Sequence, residues 1–151
     1  MTIDQAFNDV YTKFKMHFYR EIFSTFNNRE ATLTTVETFC MEVIHAMNRP
    51  TIKEFADFIQ ISPPNAAYKV NNLVQKGYIK KIHSKVDKRE YHLEVTQKYI
   101  DYYNVSAAYI DEVMKRVENH MPVEEKKHFL KALRFVSEEC MRDVPNFNGI
   151  N

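Results

Sequence analysis

The side chains best equipped to act on a partner lie between Ser62 and Arg89. This stretch of 28 residues holds seven bases, Lys69, Lys76, Lys80, Lys81, Lys85, Lys88 and Arg89, and one acid, Asp87, for a net +6. The whole 151-residue chain carries only +1, from 21 basic and 20 acidic side chains, so the other 123 residues sum to −5. A positive field focused on one segment is the footprint of a surface that meets a phosphate backbone. Other chemistries are poorly served. No arrangement of Ser, His and Asp, and no carboxylate pair, has the spacing of a catalytic set, so no enzyme activity is expected. The six histidines, His17, His45, His83, His92, His120 and His128, form no run. His17 with Glu21 and Glu124 with His128 have helical i,i+4 spacing, but neither pair gains a third ligand, and no metal or other cofactor is expected. Gly77 and Gly149, the two glycines, stand alone, which argues against Walker-type and dinucleotide-binding loops. Cys40 and Cys140 read as reduced thiols, Cys40 on an inward helix face and Cys140 on another.

The elements that must position the basic stretch follow from periodicity and caps. Phe7, Tyr11, Phe14, Phe18, Ile22 and Phe26 recur at helical spacing over 4–26 and make an aromatic face that Asn27 and Asn28 end. Thr34 and Glu37 form a capping box ahead of a helix with Val36, Phe39, Cys40, Val43, Ile44 and Met47 on one side, and Arg49-Pro50 stops it. Thr51 and Glu54 form a second box. It opens a short helix with Ile52, Phe55, Ala56 and Ile59 inward. Ser62 is an N-cap with Pro63 at the first helical position, so a helix runs from Pro63 to about Lys76, with Ala66, Val70, Leu73 and Val74 inward. Gly77 suits the left-handed position that ends it. The two short helices make a helix-turn-helix. Tyr78–His83 and Glu90–Val95 then read as a hairpin around a polar turn at Lys85–Lys88. Helical periodicity returns from Thr96 with Ile100, Tyr103, Ala107, Ile110, Val113, Met114 and Val117. It breaks at His120-Met121-Pro122. A last helix resumes with Phe129, Leu130, Leu133, Val136 and Cys140 inward, and residues after Asp143 read as a loose tail.

The order of helices, helix-turn-helix, two-stranded wing and two long helices resembles the MarR family of bacterial transcription regulators. Leu73-Val74-Gln75-Lys76-Gly77-Tyr78-Ile79 is similar to the end of that family's recognition helix, Leu-x-x-x-Gly followed by two hydrophobic residues. Asp87-Lys88-Arg89 is similar to its Asp-x-Arg wing signature, and Leu93-x-Val95-Thr96-x-Lys98 to its exit into the next long helix. Tyr99 stands where the family usually has Gly, and Tyr68 where it often has Arg. The resemblance implies a mainly α fold with a small β-wing: a winged helix-turn-helix with N- and C-terminal dimerisation helices. Residues 1–33 and 96–151 would then serve dimerisation and residues 34–95 DNA binding, in one intertwined domain. It further implies a homodimer on a pseudopalindromic operator in double-stranded DNA. The aromatic face of the first helix is an independent reason to expect a second copy, because one chain of 151 residues has little core to cover both that face and the two long C-terminal helices.

In such a fold Ser62, Pro63, Pro64, Asn65, Ala67, Tyr68, Lys69 and Asn72 face the major groove. Asn65 can pair bidentately with adenine, and the helix N-terminus can hold a phosphate. Arg89 can enter a narrow minor groove while Asp87 orients its guanidinium, and Lys85 and Lys88 meet phosphates. Phe14, Phe18, Tyr99 and Tyr103 are candidates to line an aromatic pocket for a small apolar or phenolic effector, whose binding would release a repressor from DNA. Two other readings use the same scaffold: a metal- or thiol-responsive sensor, and a winged-helix interaction module that does not bind DNA. Met1–Asp9 carries acids and no apolar segment, and no apolar run is long enough for a membrane span, so a cytoplasmic protein without membrane contact is expected.

Overall fold

The computed structural model describes residues 1–25 and 33–147, with the backbone alone at 105 and 106. Phe26, Asn27, Asn28 and Gly149 lie outside the described residues. In chain order the elements are α1 Ile3–Thr25, α2 Thr35–Ala46, α3 Ile52–Ile59, α4 Pro63–Gln75, β1 Ile79–His83, β2 Tyr91–Val95, α5 Gln97–His120 and α6 Val123–Phe135. A short π-helical turn, Val136–Cys140, follows α6. This is the expected mainly helical fold with one β-hairpin. The chain divides into two compact units: residues 1–21 with 105–146, and the described residues of 22–104 with Phe147.

The second unit is a winged helix. Its ends are set by the caps read from the sequence. The Thr34 hydroxyl accepts the Glu37 amide at 3.2 Å and the Glu37 carboxylate accepts the Thr34 amide at 2.7 Å. Thr51 and Glu54 repeat the pattern at 3.1 and 2.7 Å. Between α3 and α4 the chain turns at Gln60, whose φ of 56° lies in the left-handed region, and the Ile61 amide reaches the Ala56 carbonyl at 3.0 Å. Gly77, at φ 82°, ends α4 as its freedom from a Cβ allows. β1 and β2 pair antiparallel from Ile79 opposite Val95 to His83 opposite Tyr91. Thr51 bridges to His92 beside them, and the Leu93 amide reaches the Pro50 carbonyl at 2.8 Å, so the stretch that stops α2 also pairs with the edge of β2.

The core of this unit closes on itself. Met41, Ile44, Phe55, Ala56, Ala66, Val70, Leu73, Leu93 and Tyr99 are fully sealed, and Cys40, Tyr78, Ile79 and Tyr102 nearly so. One face differs from the periodicity of the sequence. Val36 and Phe39, inward by spacing, are exposed, whereas Thr38 and Met41 are buried. The inward turn of a threonine is tolerated because its hydroxyl shares a hydrogen bond with the Tyr102 hydroxyl at 3.3 Å. The expected tail is also partly anchored, since the Phe147 ring packs edge-on against Phe58 with centroids 5.5 Å apart.

The first unit is built differently. Phe14 meets Tyr109 edge-on at 5.7 Å, and His17 stacks on the same ring. Ion pairs such as Lys13–Asp9 and Lys126–Glu118 staple its helices along their surfaces. Yet none of its described side chains is buried. Phe129, Leu130, Leu133 and Val136, the inward stripe expected of the last helix, are exposed, and so is Cys140. An amphipathic helix buries its stripe only against a second layer, and the described residues supply none for α6. Among the described residues no helix is long and apolar enough to cross a membrane.

Candidate nucleic-acid interface

Helix α4 presents the residues named for DNA on the side away from Ala66, Val70 and Leu73. Ser62, Pro63, Pro64 and Asn65 are exposed, Ala67, Lys69 and Asn72 are half-exposed, and Tyr68 is 67% exposed. The structure therefore brings these eight positions onto one helix and its cap. It corrects one expectation about them. The first turn of α4, Pro63 to Ala66, leaves no free amide for a phosphate. Pro63 and Pro64 carry no N–H, the Asn65 amide donates to the Ser62 hydroxyl at 3.4 Å, and the Ala66 amide donates to the Ser62 carbonyl at 3.0 Å. What remains there is the Ser62 amide at the N-cap, the helix dipole and the Asn65 side chain.

The wing is braced from inside. Ser84 is buried, and its hydroxyl accepts the Val86 and Asp87 amides at 3.2 and 3.3 Å. Its own amide donates to the Glu90 carbonyl at 2.9 Å, and the Glu90 amide closes the turn on the Asp87 carbonyl at 3.0 Å. Asp87 then holds Arg89 as a fork. One carboxylate oxygen accepts the Arg89 amide at 2.9 Å and Nε at 3.3 Å, and the other accepts Nη2 at 3.3 Å. The Arg89 hydrogen bonds hold the Asp87 carboxyl below the usual aspartate range. The Arg89 side chain is nonetheless 91% exposed, so the fork fixes its direction and leaves its charge available. Lys85 and Lys88 are exposed on either side of Asp87.

Not all of the basic stretch is available. Lys76 pairs with Glu37 at 2.7 Å across α2 and α4, and Lys81 donates to the Asn71 side chain. Burial alone would raise the Glu37 carboxyl, but the Lys76 hydrogen bond, the Thr34 amide and the Lys76 charge bring it below its usual value. Glu37 thus caps α2 and ties down the end of α4 at once. A second tie comes from the start of α5. The Thr96 hydroxyl donates to the Gly77 carbonyl at 2.6 Å, and Lys98 Nζ donates to the Lys76 carbonyl at 2.9 Å while lying 4.6 Å from the Tyr78 ring centroid. An ammonium on the last carbonyls of α4 also complements its dipole. Sequence reasoning does not single out Glu37, Ser84, Thr96 or Lys98 as interface residues. The Thr-x-Lys segment is the one available signal, and it marks a place in the chain without saying what it touches.

The four candidates for an effector pocket fall in both units. Tyr99 is fully buried, with His45, Tyr102 and Tyr103 around its ring. Burial pushes the Tyr99 hydroxyl well above its usual range and draws the His45 imidazole down. Phe14 and Phe18 belong to the other unit, half-buried. Beside α4 lies a cavity of about 230 Å³ lined by residues that include Val36, Glu37, Cys40, Tyr68, Lys69 and Asn72. Burial raises the Cys40 thiol, the opposite of what a reactive thiolate needs. Among the described residues no group of three His, Cys, Asp or Glu side chains is placed to hold a metal ion.

Comparison with known proteins falls on this same region. Residues 33–91 match the model of the MarR family. No curated protein matches the chain. Among solved structures, Streptococcus pneumoniae FabT in complex with DNA is 22% identical, with a TM-score of 0.59 over 88% of this chain and 94% of that one. A Staphylococcus aureus MepR variant bound to an oligodeoxyribonucleotide is 16% identical, with a TM-score of 0.54 over 91% of this chain and 96% of that one. MepR bound to ethidium bromide is also 16% identical, with a TM-score of 0.63 over 91% and 95%. These likenesses extend the shared fold well beyond the segment that the family model covers.

Proposed function

We propose that this chain, whose residues 33–91 match the model of the MarR family, is a transcription regulator of that family, a cytoplasmic repressor that binds a pseudopalindromic operator as a homodimer. The observation that carries the reading is the pairing of two braced elements in one unit: the exposed row on α4 and the Asp87–Arg89 fork on the wing. Each α4 would lie in a major groove, with Asn65, Tyr68 and Lys69 toward base edges. The two helices of a twofold dimer would sit about 34 Å apart, one turn of DNA. Arg89 would enter the adjacent minor groove, and Lys85 and Lys88 would hold phosphates. Residues 1–33 and 96–151 would make the dimer, for which the exposed Phe129, Leu130 and Leu133 of α6 are the support.

Release by a small apolar or phenolic ligand is the second half of the proposal. Tyr99 and Tyr103 of the winged-helix unit remain the proposed lining, supported by their aromatic character and by the ethidium bound by MepR, whose fold is similar. A thiol-sensing role at Cys40 has less support, because that thiol is buried and burial raises its pKa. An interaction module without DNA affinity is distinguished by the same assay that tests the main reading. Duplexes retained by the protein from a randomised pool are sequenced and re-bound singly. Enrichment of an inverted repeat supports the proposal, and a pool left unenriched contradicts it.

A further inference from the structure

We propose that Val86, at the tip of the wing, is a minor-groove reading residue that favours A·T over G·C steps. The inference rests on the DNA-binding reading and adds a specificity residue to it. Val86 is 98% exposed, a β-branched apolar side chain left almost bare by the described residues around it. The turn does not need it there. Its amide and that of Asp87 are both held by the buried Ser84 hydroxyl, so the backbone of the tip is satisfied from within and the side chain is turned out. Three exposed cations, Lys85, Lys88 and Arg89, surround it, and they would draw the tip toward a polyanion. A valine has few rotamers to lose on insertion, so it enters a groove at little entropic cost.

The chemistry of the minor groove then gives Val86 a task distinct from that of Arg89. The groove floor at A·T pairs shows only the N3 and O2 acceptors, whereas G·C adds the guanine 2-amino group. Methyl groups fit the first floor and collide with the second. Arg89 responds to groove width through the enhanced negative potential, and Val86 responds to what stands on the floor.

The test uses the full chain and a duplex selected by the wild type from a randomised pool, with the wing-contacted steps located by footprinting. At those steps A·T is replaced by 2,6-diaminopurine·T, which adds the 2-amino group and leaves the major-groove edge unchanged. The wild type should lose about five- to tenfold in affinity. Val86→Ser, a change at a fully exposed position, should bind both duplexes within about twofold of each other, while Arg89→Ala should bind more weakly but keep the penalty. An unchanged penalty in Val86→Ser, or no penalty in the wild type, overturns the inference and leaves DNA binding standing. If no duplex is selected, the DNA-binding reading itself falls and this inference with it.

Discussion

Every side chain that the described chain buries lies between Thr38 and Tyr102, in the winged-helix unit, whereas the unit formed by residues 1–21 and 105–146 buries none. The two regions are nonetheless alike in their share of apolar residues. What separates them is closure. In the winged helix three helices and a hairpin converge on Leu73, Phe55 and Leu93, so each apolar stripe finds a second layer. In the other unit the stripes of α1 and α6 face outward, with Phe7 61%, Leu130 54% and Phe135 60% exposed. A reading head must be rigid by itself, because a recognition helix displaced by an ångström misplaces every contact. A dimerisation region would need no such independence, since another copy would supply its second layer. The contrast in burial is what that division of labour would produce.

Cavity-forming substitutions should separate the two regions most sharply. Leu73→Ala should lower the free energy of unfolding by about 2–5 kcal/mol, independent of protein concentration in chemical denaturation. Leu133→Ala, at a position 47% exposed, should act through association instead. The wild-type midpoint should rise with protein concentration and the variant's should rise less. If Leu133→Ala costs as much as Leu73→Ala at all concentrations, the contrast is wrong.

The next effect concerns the ties that hold α4. Lys76→Met should cost about 1–2 kcal/mol, because the half-buried Glu37 carboxylate loses its charged partner. The sign of the pH dependence follows. The Glu37 carboxyl is lowered on folding, so its stabilisation is present above the ordinary glutamate value near 4.5 and is lost as pH falls through the lowered value. Glu37→Gln should flatten stability across that acid window, and a slope equal to that of the wild type would refute the tie.

The smallest effect is local. Gln60 holds a left-handed backbone at the turn between α3 and α4. Gln60→Gly removes the Cβ strain at some entropic cost, and a rise in stability of about 0.5 kcal/mol is expected. A fall of that size would mean that the Gln60 side chain contributes more than its backbone geometry suggests.

Much of this is legible in the sequence where the physics is local. Thr34 with Glu37, Thr51 with Glu54, and Ser62 ahead of Pro63 act within one helical turn, and all three caps form. Asp87 and Arg89 are two residues apart, and the fork between them needs only the turn that Ser84 holds. The residues that sequence reasoning misses act across the fold. Glu37 reaches Lys76 across 39 positions and Lys98 reaches the Lys76 carbonyl across 22, and no spacing rule connects them. The buried face of α2 is rotated from the one its apolar spacing suggests, because Thr38 looks polar until Tyr102 stands opposite it. The occupied N-terminus of α4 is legible in principle, since two consecutive prolines remove two amides whatever fold surrounds them. The apolar stripe of α6 is real, but the described residues offer it nothing to face.

The central claim is that the braced wing and α4 together form a DNA-reading head. The most direct measurement is the salt dependence of binding to a duplex selected by the wild type, compared with Arg89→Ala at equal folded fraction. Wild-type affinity should fall linearly in log–log form with salt, and Arg89→Ala should bind more weakly with a slope shallower by about one. Binding that is insensitive to salt, or an Arg89→Ala variant indistinguishable from the wild type in both affinity and slope, would contradict it.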